Sequence, residues 1–269
     1  MILSAGEIAS IYYHDIFDYS LTPFDLIRWR AGKNVRPKDL NLEITQERGY
    51  LFVKGRKGLI FKRVVREKNF QRKKEIAQNA ARLLAKLPTI KVIGLTGSLA
   101  MQNAKDSSDI DFLVITQKGT LWTTRLLSFL LLKLARIPTR RFGDKEEKDK
   151  ICLNLWLDET ALSWPKTQRN AYTAHEIAQI IPVADKDKVF EKFLWLNRWI
   201  EKFWPNAIKI RKAIFRSGKK SGPRFIEFIA RNFQFWHMRG KITRERVSRK
   251  KALFHPQDWG EIVKTRFYT

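Results

Sequence analysis

The sequence predicts an α/β (α+β) chain: a mixed sheet flanked by helices, with a small helical region before it and a basic helical region after it. Three observations predict this. Apolar, β-branched runs at 90–95, 109–116 and 151–157 alternate with helical patterns, the order expected of a sheet with helices on its faces. The first 67 residues hold shorter elements of their own. The last 85 residues carry 22 Lys+Arg against 8 Asp+Glu on an aromatic-rich helical pattern. The expected regions are therefore 1–67, 68–184 and 185–269.

The elements follow in order. Ser4 caps a helix whose Ile8, Ile11, Tyr12 and Ile16 share one face, and Thr22-Pro23 opens a second through Phe24, Leu26, Ile27 and Trp29. A short helix at 40–43 and a strand at 49–53 complete an order that resembles a small winged helix, a fold that often binds DNA. Only Arg28 and Arg30 sit near the end of the helix that would read bases, so packing on the rest of the chain is the competing role. A long helix is expected over 59–87, ended by Pro88. Its middle holds Arg63, Arg66, Lys68, Arg72, Lys73 and Lys74, expected as a solvated face or as a track for a phosphate backbone. Thr120 is expected to cap a helix running to Leu134, and a charged loop at 138–150 leads into the strand at 151–157. Helices follow at 172–181 and 190–203. Pro223 opens another, whose Phe225, Phe228, Ile229, Phe233 and Trp236 have core spacing.

Charge and composition bound the function. Against 27 Asp+Glu there are 53 Lys+Arg, a formal net charge of +26. Such an excess repels itself and is relieved by a polyanion, so nucleic acid is the favoured partner, RNA ahead of DNA, and an anionic membrane surface is second. A single cysteine excludes an internal disulfide framework or a Cys-based zinc site and suits the reducing cytoplasm. Residues 1–7 lack the pattern of a signal peptide, and the apolar segment 126–132 is too short to span a membrane. Four histidines, His14, His175, His237 and His255, are scattered in sequence. His175-Glu176 fails as a zinc-protease motif because position 179 is Gln.

The chemistry concentrates in two strands. Lys91-Val92-Ile93-Gly94-Leu95-Thr96 runs into Gly97-Ser98, and eleven residues after Ser98 comes Asp109-Ile110-Asp111-Phe112-Leu113-Val114. Alternation puts Asp109 and Asp111 on one face of their strand and Ile110 and Phe112 on the other. Two carboxylates that close call for a cation, and Mg²⁺ is the hard ion that accepts such oxygens together with a phosphate. The glycine turn lets backbone N–H groups approach phosphate oxygens.

Gly97-Ser98 followed by Ser108-Asp109-Ile110-Asp111 resembles the signature of the DNA polymerase beta-type nucleotidyltransferase superfamily. The resemblance implies a nucleotidyltransferase-type core, two Mg²⁺ ions and an NTP whose nucleoside monophosphate passes to a hydroxyl. It implies Asp109 and Asp111 as catalytic metal ligands, with Gly97 and Ser98 on the triphosphate and Ser108 beside them. It also implies a third carboxylate on the next strand, and there this chain has Asn154. Asn154 can offer a carbonyl oxygen but cannot accept a proton. Asp158, in phase with it, stands at the strand end, while Asp144 and Asp149 are in the loop. Another acid, an unusual enzyme and nucleotide binding without turnover all remain open, as does transfer to a protein or small molecule. Arg125 and Lys118 are candidates to neutralise the triphosphate. The oligomeric state has no signature in the sequence.

Overall fold

Hydroxyl side chains set the first two helices. In the computed structural model, which describes residues 2–38, 41–212, 221–239, 246–253 and 259–268, α1 (Ala5–Asp15) starts at Ser4. The Ser4 hydroxyl and backbone N–H both donate to the Glu7 carboxylate, at 2.6 and 2.7 Å. α2 (Pro23–Arg28) starts at Thr22, which exchanges hydrogen bonds with Asp25, and Pro23 takes the first helical position. β1 (Ile44–Glu47) and β2 (Tyr50–Val53) then form a hairpin turning at Arg48 and Gly49, both with positive φ. Residues 41–43 are not the expected helix. Lys54 N–H donates to the Glu43 carbonyl and the Tyr12 hydroxyl to the Leu42 carbonyl, which ties this non-helical segment to β2 and α1. Leu40 lies outside the described residues.

α3 (Gly58–Leu84) corrects the reading of the basic run. Its buried stripe is Arg63, Arg66, Phe70, Lys73, Ala77, Ala80, Leu84, a spacing of three and four that carries three cations into the protein. Arg63 bonds Glu67 and Asp25 and lies 4.0 Å over the Tyr19 ring. Arg66 donates to the Asp18 carbonyl and to Asn103. Lys73 is fully buried, and its ammonium donates to the carbonyls of Asp106 and Ser108 and to the Asp149 carboxylate, at 3.0, 2.6 and 2.7 Å. Hydrophobic periodicity cannot show such a stripe, because charged residues occupy three of its positions.

The sheet follows. β3 (Ile90–Leu95) leads into the one-turn α4 (Gly97–Ala100); β4 (Ile110–Thr116), α5 (Leu121–Leu134) and β5 (Ile151–Asp158) come next. After them come α6 (Ala171–Ala178), β6 (Ile181–Asp185), α7 (Val189–Leu196), α8 (Arg224–Met238), β7 (Arg246–Val247), β8 (Lys251–Leu253) and α9 (Trp259–Val263). The six strands lie in the order β6-β3-β4-β5-β8-β7. Among the described strands, β4 and β5 are the parallel pair, joined through α5 as a parallel pair requires. The other pairs are antiparallel. The helix expected to reach Ile181 stops at Ala178, and β6 takes over; Pro182 is tolerated because β6 is an edge strand.

Alternation divides the sheet between two cores. Leu113, Ile115, Leu155 and Leu157 face one that includes Tyr13, Leu21, Trp29, Ala174 and Phe193. Ile110, Phe112, Val114 and Trp156 face the other, with Ala77, Leu84, Trp122 and Ala230. Residues from the first 67 thus pack in the same core as the sheet.

The core assignment of the α8 aromatics is overturned. Phe225, Phe228, Ile229, Phe233 and Trp236 are all more than half exposed, and α8 buries Ala230, Gln234 and Met238 instead. Its docking on α5 is largely polar. The Glu227 carboxylate accepts from the Trp122 and Thr123 N–H groups at 2.8 and 2.9 Å, capping α5 where Thr120 was expected to; the Thr120 hydroxyl donates to Gln117. Of the basic stretch 209–222, residues 213–220 fall outside the described residues, as do Lys241, Arg244 and His255.

The buried Lys73 sets a stability test. Lys73→Met should lower the unfolding free energy by roughly 3–5 kcal/mol, read from urea titrations at neutral pH. Burial raises the Asp149 pKa, but hydrogen bonds from Lys73 and Arg72 outweigh it, so the net shift is downward. Stability from a depressed carboxylate is present above its unfolded value and lost as pH falls through its folded one. The gap between wild type and variant should therefore narrow below about pH 4; a gap independent of pH would contradict the Lys73–Asp149 pairing.

Candidate functional site

β4 carries Asp111 into the lining of a cavity of about 690 Å³, which Asp109, the residue before the strand, does not itself line. Asp109 and Asp111 lie on the face away from Ile110 and Phe112, and one oxygen of each lies within 4.8 Å of the other and of the Cys152 sulfur. Cys152 pairs with Asp111 across the parallel ladder, but the next pair is Leu113 with Leu155, so β5 holds one extra residue there. That bulge breaks the alternation. Asn154 bonds Asp111 while Leu155 next to it also faces the Leu113 core. Trp156 falls on the opposite face, so Asp158 is out of phase with Asn154. Its carboxylate accepts from the Gly119 and Thr160 N–H groups instead.

The electrostatics of the pair follow from its surroundings. Burial raises the Asp111 pKa, and the Asp109 charge raises it further. Hydrogen bonding from Cys152 and the Arg140 charge oppose this, and Glu176 adds to the rise, leaving Asp111 at about 8. Asn154 Nδ2 donates to Asp111 Oδ1 at 2.7 Å, while its own Oδ1 is buried with no hydrogen-bond partner. Arg140 donates to Asp109 Oδ2 at 2.6 Å and bridges to Glu147. Burial lowers the Arg140 pKa, but the Asp109 charge outweighs it and the group stays firmly cationic. Burial together with both aspartates pushes the Cys152 thiol far up, so it remains a neutral donor.

The turn before β4 is fitted to this pair. Gly97 has φ +61°, and a Cβ there would stand 2.7 Å from Asp111 Oδ2. Only glycine meets both conditions. Gly97 and Ser98 open α4 and line the cavity, where first-turn N–H groups have no partner inside the helix. Ser108, Asp111 and Asn154 line it too, as do the cations Arg66, Lys105 and Arg140.

Arg125 is not brought there. It lies between α5 and α8, donates to Gln234 at 2.6 Å and stacks 4.9 Å from the Phe129 ring, with burial lowering its pKa to about 10. Lys118 is likewise not among the lining residues; its backbone N–H bonds Glu159. Asp144 and Asp149 are held by Lys150 and by Lys73.

Glu176, which no sequence motif singles out, lines the cavity from α6. Burial raises its pKa to about 7, partly offset by Gln179, which donates to it at 2.7 Å. The available signal was an acid among Ala174, His175, Ile177 and Ala178, a helical stretch otherwise suited to burial. His14 and His175 also line the cavity, buried with their Nε2 atoms 3.2 Å apart. His14 Nδ1 donates to the Ser10 carbonyl at 2.8 Å, so its Nε2 accepts from His175. Burial holds His14 at about 4 and His175 well below the usual range, keeping both neutral.

No protein-family model matches the chain, and no curated protein matches it. A solved structure described as a mutant toxin–antitoxin MntA-HpeT shares 12% identity over 46% of this chain and 88% of that chain, at a TM-score of 0.27. Likeness at that level carries no argument. Among the described residues, no helix is long and apolar enough to cross a membrane.

Asn154→Asp tests the contact that orients Asp111. It removes the donor and adds a third acid, which should destabilise the metal-free protein by roughly 1–3 kcal/mol. Mg²⁺ or Mn²⁺ should recover the loss in a thermal melt. An unchanged melting temperature without metal would contradict the Asn154–Asp111 contact.

Proposed function

We propose that this protein transfers a nucleoside monophosphate from an NTP to a hydroxyl acceptor, with RNA the favoured acceptor, using divalent metal held by Asp109 and Asp111. The observation that carries the reading is the pair itself: two carboxylates in one half-buried site, the ionisation of one of them disfavoured by burial and by the charge of the other, beside a glycine turn that opens a helix. The donor set fits a hard metal. Its charged ligands are carboxylates, the neighbouring thiol stays protonated, and the unpartnered Asn154 Oδ1 supplies a further neutral oxygen. When bound, Mg²⁺ would neutralise the pair and polarise the phosphate under attack.

The protein's own groups account for the rest. Gly97 and Ser98 offer N–H donors to the triphosphate, and Arg66, Lys105 and Arg140 line the same cavity alongside the acids Asp18, Asp111, Glu147 and Glu176. Arg140, already bridging Asp109 and Glu147, can turn its guanidinium to a phosphate oxygen. Glu176 takes the part of base that Asn154 cannot: a carboxylate near 7 in the same cavity accepts the proton of the attacking hydroxyl. Residues of the 1–67 region, His14, Phe17 and Asp18 among them, form part of the wall, which supports a role in shaping the site over one in reading DNA. The net charge of +26 supports a polyanionic acceptor.

A second reading has one observation in its favour. With Asn154 at the third position and Arg140 on Asp109, the site could hold a nucleotide without turnover.

Two experiments decide between them. With Mg²⁺, labelled NTPs and total RNA, the wild type should label RNA, and Asp109→Asn or Asp111→Asn should abolish the label. Nucleotide binding without label would support the second reading; label on a protein or small molecule would redirect the acceptor. Glu176→Gln should lower turnover by about 100-fold, the scale of a positioned base, with little change in nucleotide affinity. In the wild type, activity should rise with pH through about 7 as Glu176 ionises, and the variant should lose that limb. A variant that keeps both rate and pH profile would remove Glu176 from the chemistry.

A further inference from the structure

α8 shows its apolar side to solvent. Phe225, Ile226, Phe228, Ile229, Phe233 and Trp236 are each more than half exposed, Phe225 at 74% and Trp236 at 71%. α5, packed beside it through the Trp122–Phe235 ring contact and the Arg125–Gln234 bond, adds exposed Leu126, Leu127, Leu130 and Leu134. An apolar surface of ten large side chains on two adjacent helices exceeds what a protein facing only water normally leaves uncovered.

Charge identifies what covers it. α5 and α8 contain a single carboxylate between them, Glu227, and it is committed to the N–H groups at the start of α5. The same two helices and the residue after α8 also carry Lys133, Arg224, Arg231 and Arg239. Phe, Trp and Ile on one side of α8, with the exposed leucines of the neighbouring α5, Arg and Lys nearby and no free acid on either helix, fit the pattern of a helix lying in the boundary of an anionic bilayer. At 15 residues α8 is too short to span one. A nucleic-acid strand would use the cations and some rings but leave the leucines of α5 uncovered.

We infer that the α5–α8 face docks on an anionic lipid surface, with α8 lying in the interface plane. The face belongs to the side of the sheet where Phe112, Val114 and Trp156 point, opposite the side that carries Asp111. The cavity would therefore face away from the lipid, and the inference does not rest on the nucleotidyl-transfer reading.

The test is co-sedimentation of the full-length protein with vesicles of phosphatidylcholine, with and without phosphatidylglycerol. The wild type should partition at least about tenfold more strongly to the anionic vesicles. Phe225→Ser combined with Trp236→Ser should reduce that binding by about tenfold or more. The pair is exposed, so the melting temperature should be unchanged, and Phe228→Ser alone gives a milder variant for the same comparison. Absence of wild-type binding to anionic vesicles would overturn the inference, whether the double variant then proves to disrupt a dimer, an RNA complex or nothing. So would vesicle binding that the double variant retains in full.

Discussion

Two carboxylates brought within reach of each other in a half-buried pocket are the constraint on which the candidate site depends. The electrostatic penalty falls unevenly: Asp109 is answered by Arg140, while Asp111 has only a neutral amide and a neutral thiol as donors and shifts to about 8. Under the proposed function a divalent ion would join the pair, in a cavity that Arg140, Arg66 and Lys105 also line.

Holding the acids in place is the work of distant residues. The ammonium of Lys73 ties together the carbonyls of Asp106 and Ser108 and the carboxylate of Asp149, and so fixes the chain entering β4 one residue before Asp109. Arg66 links the same region to the N-terminal helices through Asn103 and the Asp18 carbonyl. Much of the charge on α3 therefore serves internal bonds, and the basic excess left for a partner is smaller near the cavity than the sequence total implies. On the far side of the sheet the reverse holds, where cations surround exposed aromatic and aliphatic groups on α5 and α8.

How much of this the sequence discloses depends on whether local pattern decides the outcome. Ser4, Thr22 and Pro23 mark helix starts because caps are local, and the Asp-Ile-Asp strand is legible because alternation alone sorts its faces. The β5 bulge is not local: only pairing with β4 shows that the alternation slips between Asn154 and Leu155, and with it goes the reading of Asp158. Arg63, Arg66 and Lys73 look like a solvated face until Asp25, Asp18 and Asp149, far away in sequence, arrive as partners. The α8 aromatics fail in the other direction, since core spacing says which residues share a side but not whether that side faces in. Glu176 was hidden because its significance lies in the cavity it enters, which six separate segments build.

The most direct measurement is anomalous diffraction from crystals grown with Mn²⁺ and a non-hydrolysable NTP analogue. A manganese peak bonded to both Asp109 and Asp111 at about 2.1 Å, with the triphosphate over Gly97 and Ser98 and Arg140 turned toward it, is the expected result. Nucleotide bound elsewhere, or Arg140 still seated on Asp109 with no metal between the acids, would contradict it.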